Sequence, residues 1–304
     1  MAAASPGSGC IVMGALAPHP PHLVYADNPP QNEPRAECGW ENLRWGYQRM
    51  RRNLEAKEFD VIIVHSPHWR TVQGHHVLAA PSFKSLSVDP IFPNLFRYHY
   101  DLEVDVELAE MVVSEGSRSG LTMKAMTNPD FRVDYGTIVA CHLVRPEWDK
   151  PIISISSNRA HHYFNNDVGE QQQIALGRAT ARAVAASGRR ALLLASNSLS
   201  HRHFTSEPAI PEDMSKEHVY HHGQYLWDMH AIKLMQAGRT RQLIDEMPDF
   251  IDHSTSECKE GSLTWLLAAM DFPTYPAEVH AYGTVIGTGN AVVDWDPTRA
   301  GGAA

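Results

Sequence analysis

Histidine is the residue type in this chain that points most directly to chemistry. Eighteen are present in 304 residues, and many come in close pairs: His19/His22, His65/His68, His75/His76, His161/His162, His201/His203 and His221/His222. Neutral imidazoles suit iron, zinc and copper, and two of them with one carboxylate make the ligand set of non-haem Fe(II) oxygenases. A lone pair of histidines in a loop is more often solvated or hydrogen-bonded than metal-bound. Three of these pairs differ because each follows an apolar run: His19/His22 after CIVMGALA (10–17), His65/His68 at the end of DVIIVH (60–65), and His201/His203 after ALLLAS (191–196). A carboxylate is available in DHSTSECKEG (252–261), where Asp252, Glu257 and Glu260 are equal candidates by spacing. His161/His162 and His221/His222 stand in polar or helical contexts and read as surface residues.

Other catalytic arrangements find little support. The chain has no HExxH, no GxGxxG and no Walker loop, and the glycine-rich GTVIGTG (283–289) is followed by no clear helix that would receive a phosphate. The serines of ASNSLSH lack the GxSxG elbow of a nucleophilic serine.

The three apolar runs, joined by PIISIS (151–156), have the length and bounding residues of buried strands. Helical periodicity fills the segments between them at 39–56, 104–116 and 168–188. The alternation predicts an α/β fold with a mainly parallel or mixed central sheet and helices on both faces. Amphipathic stretches at 215–238, 240–254 and 261–272 predict a helical C-terminal third, and 277–295 predicts added edge strands. Two proline-containing segments, 27–34 and 87–100, read as long ordered loops. Residues 10–297 read as a single domain between flexible tails at 1–9 and 298–304. In open α/β sheets, ligands collect beyond the carboxyl ends of the strands. The fold therefore brings histidine to one sheet edge from three separate strands.

Composition narrows the class of partner. The formal charge of −9 is spread along the chain without a block of like charge, which argues against nucleic acid. No apolar run reaches the roughly 18 residues of a membrane span, and the N-terminal residues lack the pattern of a signal peptide, so a cytoplasmic protein is expected. Cys10, Cys38, Cys141 and Cys258 form no CxxC and read as reduced.

Taken together, APHPPHLV, VHSPHW, FRVDYGT, ASNSLSHRH, PEDMSKE and YGTVIGTGN resemble the class III extradiol ring-cleavage dioxygenases, the family that includes protocatechuate 4,5-dioxygenase, and within it the catalytic subunits acting on o-aminophenols. The similarity runs from about residue 11 to residue 296. The resemblance implies an Fe(II) enzyme that opens the ring of an o-aminophenol with O2, giving an aminomuconic semialdehyde-type product. It also implies iron ligands at His19, His68 and Glu257, an acid–base histidine at His201 and an active-site tyrosine at Tyr135. His22 and His65 then become supporting residues. A non-catalytic α chain in a heterotetramer, or a homo-oligomer, is the implied assembly. The competing readings are a catechol- or protocatechuate-type dioxygenase, a zinc hydrolase using the same ligands, and a non-catalytic binding homologue.

Overall fold

The computed structural model describes residues 8–25, 40–90, 93, 96–159, 166–204 and 218–301. In chain order the strands are β1 (Cys10–Leu16), β2 (Val61–Thr71), β3 (His75–Leu78), β4 (Ser82–Val88), β5 (Arg97–Glu103), β6 (Met123–Met126), β7 (Ile152–Asn158), β8 (Arg190–Ala195), β9 (Glu278–Val285) and β10 (Thr288–Trp295). The helices are α1 (Trp40–Glu55), α2 (Val106–Arg118), α3 (Tyr135–Val144), α4 (Asn166–Ser187), α5 (His222–Gln236), α6 (Thr240–Asp245), α7 (Met247–Ser254) and α8 (Ser262–Ala269).

Eight strands form one sheet in the order β6-β3-β7-β2-β8-β1-β10-β9. The four predicted apolar runs are its parallel centre, β7-β2-β8-β1, and every residue of β7 is buried, as expected for strands covered on both faces. β10 joins β1 antiparallel, and β9 joins β10 antiparallel. Two neighbouring side chains in β2 show how the sheet is sandwiched, because successive residues of a strand point to opposite faces. The His65 ring meets Ser262 of α8, whereas Ser66 donates to Asp134 at the start of α3. β8 sits between β1 and β2, so the carboxyl ends of three neighbouring strands open onto one crevice.

Several expectations are corrected. The two ends of the 87–100 segment, expected as a loop, are strand: β4 and β5 pair as an antiparallel ribbon in which Ser87 opposes Tyr98 and Ser85 opposes Tyr100, and residues 91, 92, 94 and 95 lie outside the described residues. The predicted helix 240–254 breaks into α6 and α7, with Pro248 in the first turn of the second. Residues 298–301, expected as part of a flexible tail, belong to the 3-10 turn Pro297–Gly301, in which Thr298 bonds Asp296 and Arg299 bonds Asp294. Residues 1–7, 27–34 and 302–304 lie outside the described residues.

Candidate metal centre

The first arm of the site is the turn after β1. The buried Tyr47 of α1 donates its hydroxyl to the Pro18 carbonyl and fixes this turn from below. His19 follows, with Nδ1 2.9 Å from Ser196 Oγ. That hydroxyl gives its proton to the Gly136 carbonyl, 2.8 Å away. Towards His19 it can only accept, so Nδ1 carries the hydrogen and the lone pair of Nε2 faces the crevice.

The second arm is an irregularity in β2. Ser66 pairs with Ser156 and Arg70 with Ser157, which leaves Pro67, His68 and Trp69 as extra residues bulging off the ladder. Proline has no N–H to contribute there, and bulges of this kind re-aim side chains next to sites. The bulge is tied down by Ser66, whose hydroxyl meets Asp134 Oδ1 at 2.5 Å. Asp134 also caps α3 through the Thr137 backbone and hydroxyl. The same carboxylate therefore sets both His68 and Tyr135, the first residue of α3, and the Tyr135 hydroxyl comes to 2.9 Å from His68 Nε2. Gly136 is required here, because a Cβ would fall 2.8 Å from Ser66 Oγ and 3.2 Å from the His68 ring.

The third arm comes from the segment after α7. Ser256 caps the 3-10 turn Glu257–Glu260 and bonds the Leu199 carbonyl, as does the Glu257 amide. Glu257 Oε2 accepts from the Ser198 amide at 2.8 Å and the Ser198 hydroxyl at 3.1 Å. Because that hydroxyl donates to the carboxylate, it accepts from His201 Nδ1, 2.7 Å away, and the lone pair of His201 Nε2 is left facing inward.

Glu257 Oε1 has no hydrogen-bond donor and is sealed from solvent. It lies 3.2 Å from His68 Nε2 and 3.8 Å from the Nε2 atoms of both His19 and His201. Burial pushes His19 down to about 3 despite the nearby Glu257 carboxylate, which keeps the imidazole neutral. His201 is lowered for the same reason. Burial works to raise Glu257, but the imidazoles of His201, His19 and His68 outweigh it and hold the carboxyl well below its usual range. Burial, with Glu257 adding to it, raises Tyr135 well above the ordinary phenol, so its hydroxyl keeps its proton. An unpartnered carboxylate oxygen converging with imidazole lone pairs is an electron-rich hollow that fits a divalent cation. The ligand atoms of His19, His68 and Glu257 all lie within 4.8 Å of one another.

The other sequence candidates separate from this centre. Asp252 is exposed. Glu260 is engaged by Arg70, Arg159 and the Ser157 hydroxyl. His65 is fully buried on the opposite face, beside Trp265 and Ser262. His203 lines the mouth of the cavity, 4.9 Å from the His201 ring. His221 and His222 are exposed, and His221 caps α5. The His22 side chain and His161/His162 lie outside the described residues. The orienting residues Ser196, Ser198 and Asp134 carry no motif, although Asp three residues before Thr137 is a readable helix-start signal.

A cavity of about 500 Å³, measured to its open mouth, adjoins His19, Tyr135, His201 and Glu257. Residues 13–293 match the family model described as the catalytic LigB subunit of aromatic ring-opening dioxygenase. The chain belongs to this family. It is thus a ring-opening dioxygenase, and membership implies a metal cofactor. The chain is 52% identical over 294 residues to the 2-aminophenol 1,6-dioxygenase beta subunit of Pseudomonas sp, covering 97% of this chain and 96% of that one. It is 25% identical over 257 residues to the alpha subunit of 2-aminophenol 1,6-dioxygenase from Pseudomonas sp, covering 84% and 91% of the two chains. Identity is 22% over 272 residues with 3,4-dihydroxyphenylacetate 2,3-dioxygenase of Escherichia coli, covering 89% and 94%. Among solved structures, an uncharacterized protein of Escherichia coli K12 shares the fold at TM-score 0.60 and 15% identity, covering 93% of this chain and 99% of that one. No described helix is long and apolar enough to cross a membrane.

Proposed function

We propose that this ring-opening dioxygenase holds Fe(II) on His19, His68 and Glu257 and cleaves the ring of an o-aminophenol. The observation that carries the metal assignment is Glu257 Oε1, buried without a donor and facing the two imidazoles. The 52% identity to a 2-aminophenol 1,6-dioxygenase beta subunit supports the substrate class. Fe(II) bound there would supply the redox chemistry that lets ring and O2 react.

The chain's own residues do the rest. Ser196 keeps the His19 lone pair aimed inward, and Asp134 holds the His68 bulge. His201, held by Ser198, takes the proton of the substrate hydroxyl at Nε2 and returns it during ring opening. Tyr135, its hydroxyl 2.9 Å from His68 Nε2, offers a protonated phenol that donates to the reacting oxygen atoms. Because the chain also matches the alpha subunit of the same relative, we propose that it works with a paralogous α chain lacking catalysis. A homo-oligomer is the other outcome of a co-purification test.

The test is anaerobic loading with Fe(II), followed by oxygen uptake with 2-aminophenol and with catechol. Stoichiometric uptake and a ring-opened product with 2-aminophenol are expected. Oxygen-independent turnover, or activity with Zn(II) in place of iron, would overturn the reading.

A further inference from the structure

2-Aminophenol and catechol differ by a single heteroatom, so a pocket that prefers one needs a contact at that atom. Asn290, at the start of β10, is 3% exposed and stands in the cavity wall together with His19 and His201. The chemistry of its neighbours orients its amide. Nδ2 lies 3.1 Å from Thr288 Oγ1 and 3.2 Å from the Thr288 carbonyl oxygen. The Thr288 hydroxyl gives its one proton to the Val285 carbonyl, 2.7 Å away, so it can only accept from Asn290. Both atoms facing that end of the amide are acceptors. That end must be the NH2, and Oδ1 points away from Thr288.

Among the described residues nothing donates to Asn290 Oδ1. Asn290 itself is one of the residues that line the cavity. The charged side chains of the described wall are Asp89 and Glu257, with no lysine or arginine among them. A fixed amide oxygen in an anionic wall is a receptor for a donor. We propose that Asn290 selects the amine: its Oδ1 accepts an N–H of the substrate's amino group.

The inference rests on the aminophenol reading and adds the residue that enforces it. An o-aminophenol that has ionised its hydroxyl keeps two N–H donors. A catechol that has given up both protons keeps none, and it sets an oxygen lone pair against Oδ1. A site built to hydrogen-bond one substituent rejects the analogue that lacks it, because the buried acceptor is left unpaired.

The test is anaerobic calorimetric binding of 2-aminophenol and of catechol to the iron-loaded full chain, with iron content and thermal midpoint measured on each preparation. Asn290→Ala should weaken 2-aminophenol by roughly 10- to 100-fold and catechol by less than about 3-fold, so the preference collapses. Thr288→Val, which removes the hydroxyl that anchors the amide, should reduce the preference in the same direction but less. Thr288→Ser should restore it. If Asn290→Ala loses iron or fold, the Thr288 pair decides by the preference alone, and equal preferences in Val and Ser variants would overturn the proposal. A wild-type preference surviving in Asn290→Ala, or equal losses for both ligands, would also overturn it while leaving the aminophenol reading intact. A wild-type protein that binds catechol but not 2-aminophenol would sink both, on the unmutated chain.

Discussion

His19, His68 and Glu257 form one three-residue group, and Glu278, His280 and Asp294 form another; in each, the ligand-type atoms lie within 4.8 Å of one another. Both groups combine imidazole with carboxylate at similar separations, two histidines and one acid in the first and one histidine and two acids in the second, yet their lone pairs are committed differently. In the second group His280 Nε2 meets Asp294 Oδ2 at 2.7 Å, and Arg299 bridges Asp294 Oδ1 at 3.0 Å and Glu278 Oε2 at 2.6 Å. Asn53 donates to both carboxylates. The cation there is the protein's own guanidinium. In the first group His19 Nδ1 and Glu257 Oε2 bond outward, to Ser196 and Ser198, the Tyr135 hydroxyl reaches His68 Nε2, and no protein cation fills the centre, where Glu257 Oε1 is left without a hydrogen-bond partner. Residue type and distance nominate both groups, and the surrounding hydrogen bonds favour the first as the proposed metal site.

The sharpest break of this comparison is a pair of isosteric changes. Glu257→Gln should lower metal retention by more than about 100-fold and abolish turnover, because it removes the anionic ligand at the centre. Asp294→Asn should leave metal content untouched. Elemental analysis after dialysis reads both, and metal lost from the Asp294 variant would erase the distinction. Next in size, His201→Phe should keep the metal and lower turnover by roughly 10²–10⁴-fold, the usual worth of a positioned acid–base group. Normal turnover per bound metal would remove His201 from the chemistry.

Arg299→Leu probes the other group. It leaves the Asp294 carboxylate, wholly buried, without its counter-charge, and should cost about 3 kcal/mol in denaturant unfolding, with turnover per metal unchanged. The smallest effect concerns Asp228, which accepts from the Ser200 amide and hydroxyl next to His201 and from Tyr282, two residues beyond His280. Burial raises Asp228 to about 6 from an ordinary 3.8. Between those values the folded chain holds a proton that the unfolded chain releases, so stability falls as pH rises from about 4 to 6 and levels off above. The slope from this group is about 1 kcal/mol per pH unit at most, and Asp228→Asn should remove it from the pH dependence of urea midpoints.

Much of this was open to reading in the sequence. The four parallel strands are continuous apolar runs, and the histidines follow them, so the crevice and two of its arms could be placed by rule. Glu257 and Glu260 could not be separated by spacing, since both sit in one 3-10 turn; what parts them is Arg70 and Arg159 reaching Glu260 from elsewhere in the chain. α3 escaped because nine of its ten residues are buried, which erases the amphipathic period. β5 did carry an alternating signal, with Tyr100 and Leu102 buried between exposed Asp101 and Glu103, but the prolines preceding it disguised the ribbon as a loop. The orientation of Asn290 depends on where the Thr288 hydroxyl sends its proton, which no local pattern encodes.

The order of the strands also sets a schedule for synthesis. β1 and β2 emerge early but are not neighbours; β8, made more than a hundred residues after β2, slides between them. Glu257 follows later still. A nascent chain that has exposed His19 and His68 thus has neither the strand that brings them together nor the carboxylate that joins them. On the proposed ligand set, metal loading is confined to a nearly finished polypeptide, where an ion held by residues 19, 68 and 257 would stitch the beginning of the chain to its end and favour the folded form by mass action.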